Sequence, residues 1–277
     1  MAAPLATPRL EQRLATVLEG LTPCVVAFSG GVDSGVVGAL AHARDPSGVL
    51  LVTFTGPAVA REEVDRAVRT ARFIGAPHRR VPLDPVNDRR YASNPLDRCY
   101  FCRSLEGDAL ASLARSEGFP WVLDGIHRDD LGDDRPGVRA MDERGIRHPL
   151  LEAGLGKADV RALAREIGLP NWDTPSNSCL ASRIRTGEPI TREMLTRVEA
   201  AEAILHREGF RQVRVRTSQG MATLELDRQE LPRLAIGGLL PRITEEVRRL
   251  GFAEVTVDPE GYRPAGLRRR ASRAEPP

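Results

Sequence analysis

The sequence predicts an α/β protein: a parallel sheet with helices on both faces, followed by a smaller α+β domain. Three observations lead there. The 277 residues are 41% hydrophobic and 28% charged, which supports a buried core and argues against wholesale disorder. Short apolar runs alternate with stretches of helical spacing, the pattern of strands joined by crossover helices. At one junction, residues 24–40, a strand, a glycine turn and a helix follow in direct succession.

The elements follow in order. Residues 8–20 carry Leu10, Leu14, Val17 and Leu18 at helical spacing. Cys24-Val25-Val26-Ala27-Phe28 reads as a buried strand. Ser29-Gly30-Gly31-Val32-Asp33-Ser34 then turns the chain into a helix marked by Val36, Val37 and Leu40. Residues 49–55 predict a second strand, 61–73 an amphipathic helix, 78–83 a third strand and 121–126 a fourth. Residues 87–102 interrupt the alternation with Pro and Asp, and a helix is expected over 104–117. Another is expected over 157–167, closed by Gly168. Residues 171–182 read as loop. From Thr191 a new pattern starts: helix 194–208, strands 212–217 and 221–226, helix 239–250 and strand 254–257. The expected division is 1–186, 187–262, and a disordered basic tail over 263–277.

The net charge of +2 is unevenly spread. Residues 263–277 hold five arginines against one glutamate, so the rest of the chain carries about −2. Such a body lacks the basic face of a nucleic-acid binder, and aromatics, at 4%, are too scarce for base-stacking platforms. No run approaches the length of a membrane span, and no secretory leader is evident, so a cytoplasmic protein with reduced cysteines is expected. Of 40 basic residues one is lysine, Lys157. A Walker A loop is therefore excluded, because Gly156-Lys157-Ala158 lacks the hydroxyl residue that loop requires.

The glycine turn is suited to phosphate. Its glycines let the backbone approach an anion, and the helix N-terminus supplies unpaired amides and partial positive charge. Ser29 and Ser34 add hydroxyls, and Asp33 stands where a Mg²⁺ bridging phosphates needs a carboxylate. An ordinary capped strand–helix turn is the alternative.

Cysteines supply a second signal. Cys99 and Cys102 form a C-x-x-C, Cys179 lies in a polar loop, and Cys24 falls in an apolar strand and reads as core. Three thiolates are able to hold a four-iron cluster with one iron open. A zinc site completed by His127 or His148, or a redox dithiol, would use the same residues.

Several runs now read together. The glycine turn has the SGGxDS form of the PP-loop of ATP pyrophosphatases, whose fold is of the adenine nucleotide alpha hydrolase type. With it stand 94–103 (NPLDRCYFCR), 124–130 (DGIHRDD), 134–137 (DRPG), 148–157 (HPLLEAGLGK), 179–183 (CLASR) and 257–263 (VDPEGYR). In this order they resemble the LarE family of ATP-dependent sulfur transferases over nearly the whole chain. The resemblance implies adenylation of the carboxylates of pyridinium biscarboxylate mononucleotide, then replacement of oxygen by sulfur, in making the nickel-pincer nucleotide of lactate racemase. It implies ATP, Mg²⁺, a sulfide donor and a homo-oligomer. One branch of the family sacrifices the sulfur of the cysteine matching Cys179. The other holds a 4Fe-4S cluster on three cysteines, here Cys99, Cys102 and Cys179, and this sequence has that set. A tRNA thiolation enzyme and a zinc-stabilised nucleotide-binding protein are the competing readings.

The resemblance also places further residues. Ser29, Gly30, Gly31, Asp33, Ser34 and Lys157 fall to the pyrophosphate end of ATP, and Thr53 and Phe54 to adenine. Asp124, Gly125 and Asp130 fall to the nucleotide, with Asp130 and Glu152 as candidates for Mg²⁺ or ribose hydroxyls. Arg214 and Arg216, with Glu202, fall to a subunit-interface site for phosphate or metal, while Arg183, flanking Cys179, is a candidate for substrate carboxylates and phosphate or for neutralising the cluster, a structural arginine being the alternative. Arg103 stands where lysine is expected.

Overall fold

The computed structural model describes residues 7–131, 136–175 and 177–263. The expected tail beyond Arg263, Asp134 and Arg135 of the 134–137 run, and Ser176 lie outside the described residues. Contacts divide the chain into two units, one ending at Asn177 and one starting at Ser178.

The first unit contains α1 (Thr7–Leu18), β1 (Cys24–Ala27), α2 (Val32–Arg44), β2 (Val49–Thr55), α3 (Arg61–Ile74) and β3 (His78–Pro82). After them come α4 (Arg89–Ala92), α5 (Arg98–Glu117), β4 (Trp121–Leu123), α6 (Pro136–Asp142), α7 (Pro149–Glu152) and α8 (Lys157–Glu166). The sheet order is β3-β2-β1-β4, and every pairing is parallel. Alternation along β1 and β2 creates two cores, because successive side chains in a strand leave opposite faces. Cys24, Val26, Val49 and Leu51 pack with Leu10, Leu14, Val36, Val37, Val160 and Leu163. Val25, Leu50 and Val52 pack with Leu110, Ala114 and Met141. Helices therefore cover both faces, as the sequence predicts, and both central strands are apolar along their length.

Two boundaries differ from expectation. The helix expected from 104 begins at Arg98, so Cys99 and Cys102 lie on its first two turns and not in a loop. The turn Pro95–Arg98 starts it, through the Arg98 amide bonding the Pro95 carbonyl at 3.1 Å. Arg-Cys-Tyr-Phe-Cys-Arg shows no apolar periodicity, which is why the pattern hides it. Conversely, β4 stops at Leu123, three residues before the expected end. There the Asp124 carboxylate takes the Ile126 amide at 3.0 Å and turns the chain out of the sheet.

The second unit opens on a short 3-10 turn, Leu180–Arg183, followed by α9 (Arg192–Arg207), β5 (Val213–Ser218), β6 (Met221–Leu226), α10 (Leu239–Arg249) and β7 (Glu254–Val257). Thr191 caps α9 by accepting the Met194 amide at 3.1 Å. β5 and β6 form a hairpin through Gln219-Gly220, both at positive φ, and β7 joins β6 in parallel after α10. Leu195, Val198, Leu205, Val213, Val215, Leu224, Ile243 and Val247 are buried in this unit.

One glycine is dictated by space as well as by backbone. Gly30 has φ 72°, and a Cβ there would stand 2.5 Å from the Ala67 Cα on α3. Gly30→Ala is expected to destabilise the fold by about 2 kcal/mol or more. Urea unfolding checks it: the midpoint should fall with the slope unchanged.

Candidate functional site

The turn after β1 is built as a phosphate cradle. Ser34 Oγ lies 3.2 Å from both the Ser29 amide and the Ser29 hydroxyl, and Ser29 Oγ accepts the Gly31 amide at 3.2 Å. Asn171, 2% exposed, donates from Nδ2 to the Gly30 carbonyl at 2.8 Å. It thereby holds the Gly30–Gly31 peptide from a point 141 residues away. Gly31 precedes α2, so the amides of Val32, Asp33 and Ser34 have no acceptor within the helix. Together with the helix dipole, they offer an anion several converging donors.

Asp33 and Lys157 meet at this cradle. Lys157 Nζ is 2.6 and 2.8 Å from the two Asp33 oxygens. Lys157 is placed by its own helix start: its amide donates to Asp129 at 2.7 Å, and Asp159 accepts the Gly156 amide at 3.0 Å. The Lys157 amide, first among its partners, holds the Asp129 carboxyl below the usual range. His127 Nε2 stands 3.9 Å from Asp33, and Asp130 accepts the His127 amide at 3.2 Å. Thus Asp33, Lys157, His127 and Asp130 gather beside the glycine turn, from sequence positions far apart.

Other candidates have different surroundings from those the sequence suggests. The Thr53 hydroxyl is buried and donates to the Phe28 carbonyl at 2.5 Å, so His78 Nε2 must donate to it at 2.8 Å. Phe54, next to the last residue of β2, is half-buried and packs against the core of Val25, Leu50 and Val52. Glu152 is bound to Arg147 at 2.6 and 2.9 Å and to the His148 amide. Its structural role is thus an ion pair at α7. His148 is bonded by carboxylates at both ring nitrogens, 2.7 Å to Asp124 and 3.0 Å to Asp142. Neither nitrogen is left for zinc.

None of the four cysteines is in a disulfide. Cys24 is buried, and burial pushes its thiol up to about 12, which removes it from thiolate chemistry at neutral pH. Cys99 is exposed, and Cys102, half-buried, lies three residues further on α5 with Sγ 3.7 Å from Glu106 Oε1. Arg103 spans Glu106, at 2.7 Å, and Asp124, at 3.3 Å. Among the described residues no group of three metal-ligating side chains converges.

In the second unit Cys179 is half-exposed, and its loop is organised by Arg183. The Arg183 guanidinium is 1% exposed. It donates to both Glu202 oxygens at 2.8 and 3.0 Å, and to the carbonyls of Ser178 and Cys179 at 2.5 and 3.0 Å. Glu202 also accepts the Val215 amide at 3.0 Å. This pair therefore braces the Cys179 loop from within. Arg214 is 5% exposed and lies over the Tyr262 ring at 5.1 Å. Arg216 bonds Glu225 at 2.8 Å and the Ser182 carbonyl at 2.9 Å. With Arg185 and Asp258 it lines a cavity of about 380 Å³.

A parallel sheet that delivers an SGGVDS turn to a helix N-terminus, with a lysine on its aspartate, defines an ATP-using enzyme of the PP-loop class. A model of the asparagine synthase family matches residues 7–94. The chain is 36% identical over 279 residues to the pyridinium-3,5-bisthiocarboxylic acid mononucleotide synthase of Lactiplantibacillus plantarum, covering 99% of this chain and 98% of the relative. It is 39% identical over 249 residues to an uncharacterized protein of Synechocystis, covering 90% and 93%. A tRNA-specific 2-thiouridylase of Xanthobacter autotrophicus is 32% identical over 234 residues, covering 68% of this chain and 58% of the relative. The chain belongs to the LarE family, and it is an ATP-dependent sulfur transferase.

Asn171 escaped the sequence reading, and His127 and His148 entered it only as possible zinc ligands; the Asn171–Gly30 and His148–Asp124 bonds each close a long sequence gap. The brace at Cys179 predicts a measurable cost. Glu202→Gln leaves Arg183 buried without its counter-charge and is expected to cost about 3 kcal/mol. Chemical unfolding measures it, and alkylation of Cys179 should accelerate in the same variant.

Proposed function

We propose that this enzyme adenylates the carboxylates of a pyridinium biscarboxylate mononucleotide and replaces one oxygen of each with sulfur. The observation that carries the reading is the phosphate cradle with its Asp33–Lys157 pair in a chain that matches the synthase end to end. A carboxylate is a poor electrophile and hydroxide a poor leaving group. Attack of a carboxylate oxygen on the α-phosphorus breaks the bond to the bridging oxygen, and pyrophosphate leaves. Sulfide then attacks the acyl carbon, the bond to AMP breaks, and AMP departs with the former carboxylate oxygen. Two such rounds give the bisthiocarboxylate.

The cradle's amides and the Ser29 and Ser34 hydroxyls hold the pyrophosphate. Lys157, released from Asp33, neutralises charge building on the departing phosphates, and Asp33 is freed for Mg²⁺. Asp124, Gly125 and Asp130 border the nucleotide, and Phe54 the adenine. Arg214 and Arg216 serve the anionic groups of the substrate, and Arg183 supports the loop that presents Cys179.

Cys99, Cys102 and Cys179 suit a 4Fe-4S cluster. They are in no disulfide and lie outside the core, and two of them share a helical face at i, i+3. When bound, such a cluster supplies an iron able to carry sulfide. A reducing cytoplasm suits three cysteines outside disulfides, and we take the enzyme to act there as a homo-oligomer fed by a separate sulfide donor.

Two experiments test this. After anaerobic cluster reconstitution, multiple turnovers that depend on added sulfide are expected on the pyridinium substrate. Alanine at Cys99, Cys102 or Cys179 should end them. Full transfer by Cys99→Ala, with dehydroalanine appearing at Cys179, overturns the cluster and favours sacrifice of Cys179. Tight, salt-sensitive tRNA binding would favour the thiouridylase reading. Separately, Lys157→Arg should lower AMP formation about tenfold or more, because a planar fork does not replace a compact ammonium.

A further inference from the structure

We propose that His148 is a positioning residue for adenylation: clamped between Asp124 and Asp142, it fixes the turn on which the Asp33–Ser34 end of the phosphate cradle is seated. The proposal rests on the adenylation reading, and is independent of the cluster.

Both ring nitrogens face carboxylate oxygens, and with these ionised the ring is held as a cation. His148 Nδ1 is 2.7 Å from Asp124 Oδ1 and Nε2 is 3.0 Å from Asp142 Oδ1. Ionised carboxylates only accept, so both nitrogens donate, and the ring is an imidazolium. His148 is 5% exposed and Asp124 1%. Burial opposes the proton, but the Asp124 and Asp142 carboxylates outweigh it and raise the pKa above its ordinary 6.5. The described charged groups around the ring are Asp124 after β4, Asp142 at the end of α6, and Arg103 of α5 through Asp124. On its own segment stands the Glu152–Arg147 pair, which meets the His148 amide.

The carboxylate that His148 fixes is next to the cradle. Asp124 also accepts the Ile126 amide at 3.0 Å, so its side chain shapes the turn containing Gly125. That turn lies flush on the cradle: a Cβ on Gly125 would stand 2.7 Å from the Ser34 nitrogen and 3.0 Å from the Asp33 carbonyl carbon. A shift of the turn therefore displaces the Ser34 amide that faces the phosphates and the Asp33 carboxylate proposed for Mg²⁺. Arg103, the residue after Cys102, holds the other Asp124 oxygen. One carboxylate thus references both the nucleotide turn and the cysteine-bearing helix, and the imidazolium offsets its charge.

The test follows AMP and pyrophosphate release at saturating ATP and substrate by wild type, His148→Asn and His148→Gln, from about pH 6 to about pH 9. The stabilisation is fully present below the ordinary histidine pKa and is lost as pH rises through the raised one. Wild-type kcat should therefore fall along an alkaline limb. The variants should lose about ten- to a hundredfold in kcat, with a smaller change in KM for ATP, and lack that limb. Variants with wild-type kcat, or with reduced stability but the same limb, overturn the proposal. Should the variants fail to fold, nitrogen NMR of the wild-type ring decides: a proton retained above neutrality supports the assignment, and one lost below about pH 6.5 sinks it. A wild type that forms no AMP overturns the adenylation reading, and the proposal with it.

Discussion

The phosphate cradle depends on a steric constraint imposed from two sides. On one side Gly30 lies against the backbone of Ala67, and on the other Gly125 lies against Ser34. Neither contact has room for a Cβ. The turn therefore cannot relax outward when its amides are left without acceptors, and α3 and the segment after β4 act as walls. Asn171 pins the intervening peptide. A site held this way stays aimed at an anion that is not yet bound, and its donors need little rearrangement when phosphate arrives.

Charge is arranged around that constraint. Asp33 is balanced by Lys157, Asp124 by His148 and Arg103, and Glu202 by Arg183. The first pair is a quarter exposed on both partners, so it can exchange for nucleotide and metal. The Glu202–Arg183 pair is buried, and breaking it would leave a charge stranded in a poorly solvated interior. Exchangeable ion pairs thus stand at the chemistry, and sealed ones stand beneath the loops that present it.

Much of this was legible in one dimension. Apolar runs marked the central strands β1 and β2, because burial on both faces demands near-continuous hydrophobicity. The turn 29–34 announced its chemistry through glycine, serine and aspartate at set spacing. The start of α5 was hidden because Arg98–Arg103 has no apolar stripe, its cysteines and aromatics serving ends other than the core. The end of β4 was hidden because the apolar run resumes at Ile126, while the Asp124 side chain captures the Ile126 amide and turns the chain out of the sheet. The pairings of His148 with Asp124 and Asn171 with Gly30 were beyond reach, since nothing local records which distant backbone or carboxylate a polar side chain will meet. Arginine was misleading in a different way: Arg183 looked like a ligand for substrate anions, yet its guanidinium is spent on protein carbonyls and Glu202.

The solitary lysine has a chemical consequence. A chain with 39 arginines and one lysine offers a single side-chain amine to acylating reagents or acyl-transfer enzymes, and that amine sits on the phosphate cradle. While Nζ is locked onto Asp33 as an ammonium, it is a poor nucleophile. When the pair opens, the same nitrogen becomes available. Lysine acylation, scattered and mostly silent on ordinary proteins, would be confined here to one place, where its rate records how often the ion pair is broken.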